Sequence, residues 1–269
     1  MTNATAPAAR RPRVVVTRRL PEPVEAELRE RFDASLNARD EPLDAGALAA
    51  AMRDADALLP TVTDRLDAAV LGAEPRRARI IANFGVGYNH IDISAAAARG
   101  IAVTNTPDVL TADTADVAIA LMLMAARRLG EGERQLRAGE WSGWRPTHML
   151  GTTLAGKTLG IVGFGRIGRA VAQRARLGFG MRVLFHDPGT VDEQAVKMLA
   201  AERRGSLDTL LGESDIVSLH CPATPATRHL LDESRLGRMK RSAILVNTAR
   251  GDVVDERALV RALREGAIR

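Results

Sequence analysis

The sequence contains little cysteine and few aromatic residues. Cys221 is the single cysteine among 269 residues, which excludes an intramolecular disulfide and any metal site built from several cysteines. Because disulfides are rare in reducing compartments, this usage fits a cytoplasmic protein. Aromatic residues make up 3% of the chain, so Ala, Val, Leu and Ile must build the core. We expect no metal site.

The sequence also lacks a hydrophobic run long enough to cross a membrane. Its longest strongly apolar run covers residues 117–126, whereas a spanning helix needs about 20 residues. Arg10, Arg11 and Arg13 lie in the N-terminal leader, with no apolar segment of signal-peptide length behind them, so secretion is not predicted. We expect a disordered leader and no membrane partner.

Positive charge is abundant but spread along the chain. The formal net charge is +5 and the sequence pI is about 10.2, because 35 of the 38 basic residues are arginine. A pI this high is compatible with nucleic-acid binding. However, the arginines are scattered between acidic residues, and the few aromatic side chains offer little surface for base stacking. We therefore expect no nucleic-acid partner.

Strand and helix patterns alternate along the chain, which predicts an α/β fold with two doubly wound parallel sheets. Short, continuous apolar runs mark the strands, because helices cover both faces of a parallel sheet. These runs lie at residues 13–17, 57–59, 80–84, 101–104, 158–162, 182–186, 216–220 and 243–247. The pattern changes near Pro107, where a long helix over residues 111–130 is predicted. A domain boundary is predicted there, between residues 1–107 and 108–269.

A glycine pattern at the end of the strand over residues 158–162 carries the clearest chemical signal. Gly163, Gly165 and Gly168 follow this strand and open a predicted helix. In dinucleotide-binding folds, the first glycine permits a tight turn, the second lets the backbone approach a pyrophosphate, and the third lets the helix pack close to the strand. The pyrophosphate then lies at the helix N-terminus. This pattern predicts a Rossmann domain.

An acidic residue, Asp187, follows the next strand at the spacing of a contact to a ribose hydroxyl. The alternative is that Asp187 only forms a turn before Pro188. A carboxylate at this place repels a ribose 2′-phosphate, and no arginine lies between Pro188 and Glu202 to compensate. The sequence therefore predicts NAD rather than NADP as the cofactor.

Three segments in this order resemble the D-isomer-specific 2-hydroxyacid dehydrogenases: residues 156–163 (GKTLGIVG), 220–228 (HCPATPATR) and 246–255 (VNTARGDVVD). The resemblance extends to residues 84–92 and 103–107, and residues 139–144 and 176–181 are most similar to glyoxylate and hydroxypyruvate reductases. It implies a flavodoxin-like substrate domain over residues 1–107 and a Rossmann NAD-binding domain over residues 108–269. The implied activity is hydride transfer between NAD(H) and a small 2-oxo acid.

The resemblance also implies roles for individual residues. Backbone N–H groups of Val86 and Gly87 would bind the substrate carboxylate, although this loop could equally be an ordinary turn. Arg250 would hold the carboxylate and ketone oxygen with its planar guanidinium, the alternative being one structural arginine among many. Further residues are implied to contact the cofactor: Thr114, Arg166, Ile167, Cys221, Pro222, Thr227, Thr248 and Ala249. Cys221 could also be a small buried filler, and nothing beside it suggests a nucleophile.

The resemblance also bears on subunit contacts and on the proton donor. The resemblance implies a homodimer, and the loop with Trp141 and Trp144 either forms a subunit contact or packs on its own domain.

In the family, a histidine oriented by a glutamate donates the proton, and both would lie beyond the helix predicted over residues 256–265. We therefore expect a sequence truncated at Arg269, with an incomplete second sheet and weak activity. The alternative function is a dinucleotide-binding sensor or scaffold similar to the co-repressors that resemble this family.

Overall fold

The computed structural model describes residues 10–269, and the chain forms two compact units. The first unit ends at Asp108, and the second begins at Val109. The predicted disorder of the leader falls mainly on residues 1–9, which lie outside the described residues.

The first unit is built around a five-stranded parallel sheet with the strand order β2-β1-β3-β4-β5, which is the flavodoxin-like arrangement. Its elements are β1 (Arg13–Val16), α1 (Glu22–Arg31), β2 (Asp33–Ser35), α2 (Ala45–Asp54), β3 (Ala57–Leu59), α3 (Ala68–Leu71), β4 (Ile80–Ala82), α4 (Ile93–Ala98) and β5 (Ala102–Thr104). Leu58 and Ile81 of the central strands are fully buried in its core.

The second unit contains another five-stranded parallel sheet, with the order β10-β9-β6-β7-β8. Renumbered from β6, this is the 3-2-1-4-5 order of a Rossmann fold. Its elements are α5 (Thr111–Arg127), α6 (Leu129–Arg137), β6 (Thr158–Val162), α7 (Arg166–Phe179), β7 (Arg182–His186), α8 (Glu193–Met198), β8 (Glu202–Arg203), α9 (Leu207–Glu213), β9 (Ile216–Leu219), α10 (Glu233–Leu236), β10 (Ile244–Asn247) and α11 (Glu256–Arg264).

The predicted fold class is confirmed, and the differences from the sequence expectation are local. The helix predicted over residues 111–130 ends at Arg127, because Arg128 adopts a left-handed conformation with φ of 57°. A separate helix, α6, starts directly after it. Of the helices in the described part of the chain, α5 is the longest at 17 residues, and none qualifies as a membrane span.

Candidate functional site

Four loops of the second unit emerge from the same edge of its sheet. In the strand register, Val162 pairs with both His186 and Leu219, and Leu219 pairs with Asn247. The carboxyl ends of β6, β7, β9 and β10 therefore lie side by side. The strand order reverses at β6, since β7 and β8 lie on one side of it and β9 and β10 on the other. Open α/β sheets bind their ligands at such a reversal point.

Each glycine of the loop after β6 meets a different steric requirement. Gly163 has a φ of +91°, and a side-chain carbon there would lie 2.7 Å from the amide nitrogen of Cys221. At Gly168, such a carbon would lie 2.2 Å from the carbonyl oxygen of Gly163, so the helix could not pack this closely. At Gly165 an added side-chain carbon would meet no atom within 4 Å apart from its chain neighbours. The loop is thus tightly packed at its two ends and open in the middle, which suits the approach of a pyrophosphate.

The N-terminus of α7 provides the electrostatic part of this cradle. Gly165 precedes the first helical residue and has no side chain that could cap the helix. Arg166 and Ile167 occupy the first turn, with Arg166 exposed and Ile167 half-buried. First-turn amides have no partner within their own helix, and together with the helix dipole they favour an anion. The residues present therefore fit the phosphates of a dinucleotide.

Asp187 connects the loops that follow β6 and β7. One carboxylate oxygen, Oδ2, accepts a hydrogen bond from the amide of Phe164 in the glycine loop at 2.8 Å. The other, Oδ1, accepts from the amide of Gly189 at 2.8 Å. Asp187 therefore forms a turn and also faces the glycine loop, so the two interpretations of its sequence position are compatible.

Arg203 supports the same turn, and the sequence argument missed it. Its Nη2 donates to the carbonyl oxygens of Asp187 at 2.6 Å and Gly189 at 3.0 Å. The expectation that no arginine compensates Asp187 considered only the residues before Glu202. The parallel pairing of Phe185 with Arg203 brings this arginine to the turn from the neighbouring strand. Because both contacts go to carbonyl oxygens, Arg203 stabilises the turn without pairing with the Asp187 carboxylate.

The loop after β9 contains Cys221 and a hydrogen-bonded turn. Cys221 is buried, and burial raises the pKa of its thiol, so the reactive thiolate is disfavoured at neutral pH. The hydroxyl of Thr227 donates to the carbonyl oxygen of Pro222 at 2.6 Å and accepts from the amide of Thr224 at 2.8 Å. This turn places Pro222 and Thr227 next to each other, as a shared contact to the adenosine side would require.

Asn247, a second residue that sequence reasoning missed, shapes the loop after β10. Its Nδ2 donates to the carbonyl oxygen of Arg250 at 2.8 Å, and its Oδ1 accepts from the amide of Ala249 at 2.9 Å. An asparagine at the end of a strand commonly bonds the backbone in this way, and that was the available signal. The bonds fix the backbone of Thr248, Ala249 and Arg250, and the Arg250 side chain is half-buried.

His220 lies among these loops but is poorly suited to donate a proton. Its Nε2 is 2.8 Å from the Ser218 hydroxyl, and its Nδ1 is 3.4 Å from the Thr248 hydroxyl. Burial lowers the pKa of His220 to about 4, so the imidazole is neutral at pH 7. His186, at the end of β7, places Nδ1 3.0 Å from the carbonyl oxygen of Arg204. These contacts fit a structural role for both histidines.

Thr114 lies on a different element from these loops. It is half-buried near the start of α5, and this helix is tied to α7 by the ion pair between Asp116 and Arg174. The structure therefore brings together the predicted residues of the four loops, whereas a cofactor contact of Thr114 stays a prediction.

Val86 and Gly87 belong to the first unit, in the loop after β4. Asn83, which is 2% exposed, follows that strand, and its Nδ2 donates to the carbonyl oxygens of Gly85 and Gly87 at 3.0 Å each. Asn105 Nδ2 donates to the carbonyl oxygen of Val86 at 2.8 Å. Within residues 10–269, the amides of Val86 and Gly87 donate to no protein acceptor. This loop thus has free backbone donors, as binding of a carboxylate requires.

The glycine loop and the Asp187 turn define the second unit as a dinucleotide-binding Rossmann domain. The family model described as D-isomer specific 2-hydroxyacid dehydrogenase, NAD binding domain, matches residues 119–269. The chain belongs to the D-isomer-specific 2-hydroxyacid dehydrogenase family. The family prediction, the enzyme class and the nicotinamide cofactor are confirmed, and the sensor or scaffold alternative is not favoured.

Relatives and solved structures agree with this assignment. A glyoxylate reductase of Korarchaeum cryptofilum is 49% identical over 259 residues, covering 96% of this chain and 77% of the relative. The TT0316 protein of Thermus thermophilus superimposes with a TM-score of 0.84 at 47% identity, covering 94% of this chain and 78% of that one. The D-lactate dehydrogenase of Aquifex aeolicus, complexed with NAD and lactic acid, has a TM-score of 0.81 at 31% identity. The match covers 95% of this chain and 74% of that one.

Proposed function

We propose that the protein reduces a small 2-oxo acid, glyoxylate or hydroxypyruvate, with NADH. The observation that carries this proposal is the shared sheet edge, from which both the glycine loop and the loop of Arg250 emerge. The name of the glyoxylate reductase relatives supports the choice of substrate. When bound, the nicotinamide cofactor supplies the hydride for the substrate ketone.

The proposed cofactor contacts follow the four loops of the second unit. The amides at the start of α7 bind the pyrophosphate, because they are the orphan donors of the helix. Asp187 accepts hydrogen bonds from the ribose hydroxyls. Other contacts are proposed for Arg166 and Ile167 at the pyrophosphate, Cys221, Pro222 and Thr227 at the adenosine, and Thr248, Ala249 and Thr114 towards the nicotinamide.

Substrate contacts are proposed for Val86, Gly87 and Arg250. The amides of Val86 and Gly87 bind the carboxylate, which assigns residues 1–107 as the substrate domain and residues 108–269 as the dinucleotide-binding domain. The Arg250 guanidinium holds the carboxylate and polarises the carbonyl oxygen, so that negative charge developing there is stabilised.

A cytoplasmic location is proposed as well. The single cysteine, Cys221, is buried and free, which fits a reducing compartment.

The preference for NAD over NADP rests on Asp187. The substitution Asp187→Ala is expected to weaken NADH binding by about tenfold or more, because a hydrogen bond from a ribose hydroxyl to a carboxylate contributes about 1.5–3 kcal/mol. NADPH binding is expected to change little or to improve. The preference for NADH over NADPH, expressed as the ratio of the two dissociation constants, therefore becomes smaller. Fluorescence titration with both cofactors measures this ratio. Asp67→Ala is the control, since Asp67 also accepts from two backbone amides, those of Ala69 and Val70. Tighter binding of NADPH by the wild-type protein would exclude the assignment.

A homodimer is proposed from an apolar face of α5. Val117, Leu121 and Met124 are 53%, 39% and 45% exposed, and their spacing places them on one side of the helix. Trp144, in the loop that follows α6, is 83% exposed. Three exposed apolar side chains on one helix face are typical of an interface, and the occupant we propose is the same face of a second copy.

The substitution Leu121→Glu tests this interface. In a two-fold dimer it places a carboxylate in each half of the apolar contact, so the protein is expected to become monomeric. Light scattering coupled to size-exclusion chromatography measures the mass. Met198→Glu, at an exposed apolar side chain of α8, is the control and should stay dimeric. A wild-type monomer, or a dimer that survives Leu121→Glu, contradicts the proposal.

Consumption of NADH in the presence of different 2-oxo acids tests the proposed reaction. We expect oxidation that requires both the protein and glyoxylate or hydroxypyruvate, with formation of the matching 2-hydroxy acid. A protein that binds NADH but oxidises it with neither acid would overturn the proposed substrate class.

A further inference from the structure

Side-chain amides hold three successive carbonyl groups of the substrate-domain loop. Asn83 Nδ2 donates to the carbonyl oxygens of Gly85 and Gly87, and Asn105 Nδ2 donates to that of Val86 between them. The amide of Thr106 also donates to the carbonyl oxygen of Gly85, at 3.1 Å. The carbonyl groups of the segment 85–87 are thus all engaged with asparagine side chains.

This arrangement determines where the neighbouring amides point. The peptide bonds of the segment are trans, and in a trans peptide the N–H points away from the carbonyl of the preceding residue. The amides of Val86, Gly87 and Tyr88 therefore point away from the asparagines. In the described part of the chain, none of the three donates to a protein acceptor. Successive unpaired amides form an anion-binding concavity.

His90 fixes the orientation of the Asn83 side chain. Its Nε2 lies 2.9 Å from Asn83 Oδ1. Because Oδ1 can only accept, His90 donates from Nε2. The Asn83 amide group is left to face the two carbonyl oxygens, and a flipped side chain would place Oδ1 against them. The contact with His90 opposes that flip.

We propose that Asn83 and Asn105 are positioning residues that orient the amides of Val86, Gly87 and Tyr88 towards the substrate carboxylate, with His90 setting the orientation of Asn83. This inference rests on the proposed function, in which Val86 and Gly87 bind the carboxylate. The asparagines act on the substrate only through the loop backbone. Their loss should weaken binding of the acid while leaving cofactor binding intact.

Asn105 carries the decisive test. Asn83 is almost fully buried, so its variants risk general unfolding, whereas Asn105 is half-buried and bonds a single loop carbonyl. The probe is oxamate, a 2-oxo acid analogue that keeps the carboxylate and cannot be reduced. Its dissociation constant is measured by titration of the NADH-loaded protein, from the change in nicotinamide fluorescence.

We expect Asn105→Ala to weaken oxamate binding about fivefold to tenfold. This is the effect of losing one hydrogen bond that orients the loop amides. The NADH dissociation constant and the melting temperature should remain close to wild type, and Asn105→Asp should not restore binding, because a carboxylate cannot donate to Val86. Asn37→Ala is the matched control. The Asn37 amide also donates to two backbone carbonyls of the first unit, those of Thr17 and Glu41, but outside this loop.

The outcomes separate this inference from the proposed function. Unchanged oxamate binding in Asn105→Ala would overturn the positioning role and leave the proposed function in place. Restored binding in Asn105→Asp, or an equal loss in Asn37→Ala, would also overturn it, because the effect would then not depend on this donor. If the wild-type protein binds NADH but no oxamate, the proposed function itself fails.

Discussion

Replacing Arg250 by lysine is expected to lower kcat/KM for the 2-oxo acid by about a hundredfold to a thousandfold. Lysine keeps the positive charge but loses the planar pair of donors that contacts a carboxylate and a ketone oxygen together. Because Arg250 contacts the acid rather than the cofactor in the proposed site, the NADH dissociation constant should change less than about twofold. Steady-state kinetics with glyoxylate, together with a fluorescence titration of NADH, measures both quantities.

Arg257→Lys provides the control for this substitution. Arg257 is exposed at the start of α11 and only seven residues further along the chain, yet it belongs to none of the proposed contacts. Its conversion to lysine should leave kcat/KM unchanged. Full activity of Arg250→Lys would remove Arg250 from the site, and an equal loss of NADH affinity would give it a structural role instead.

Replacing Gly168 by alanine is expected to abolish cofactor binding at concentrations that saturate the wild-type protein. The new side-chain carbon would lie 2.2 Å from the Gly163 carbonyl oxygen, and this contact is to backbone that cannot rotate away. Helix α7 must then move away from β6, which displaces the amides proposed to bind the pyrophosphate. Overpacking of this kind costs about 1–3 kcal/mol or more of stability, so the melting temperature should fall as well.

Gly178→Ala is a control on the same helix. At Gly178 an added side-chain carbon meets no atom within 4 Å, so alanine should be accommodated and should raise helix stability by about 0.8–1 kcal/mol. Calorimetry and NADH titration on the two variants separate a general effect of alanine in α7 from the specific contact. Wild-type NADH affinity in Gly168→Ala would contradict the packing role of this glycine.

The sequence predicted eight of the ten strands in the described residues, and the two that it missed each lie at a sheet edge. The bounds of β6 and β7 were predicted without error, because the central residues of both strands are apolar and buried. Strand β2 (Asp33–Ser35) and strand β8 (Glu202–Arg203) were not predicted. They are short and polar, and each lies at an edge where pairing with a neighbour, rather than its own sequence, makes it a strand. The break at Arg128 was also missed, since no glycine marks it.

The site shows the same division between local and long-range signals. A strand, three glycines and a helix are adjacent in sequence, so the glycine loop could be predicted from the spacing alone. Arg203 reaches the Asp187 turn from another strand, and no local pattern reveals that contact. Asn83 follows β4 and Asn247 ends β10, and each holds the loop beyond its strand, but asparagines at such positions also fit ordinary turns. Only the folded structure shows which backbone groups they bind.

Transfer of deuterium from labelled cofactor to product tests the central claim most directly. The protein is mixed with glyoxylate and NADH that carries deuterium at both hydrogen positions of nicotinamide C4, and the glycolate formed is analysed by mass spectrometry. The proposed function predicts glycolate with one deuterium on the carbon that was the aldehyde, formed in an amount equal to the NADH consumed. Unlabelled glycolate, or bound NADH that remains unchanged with both glyoxylate and hydroxypyruvate, would contradict it.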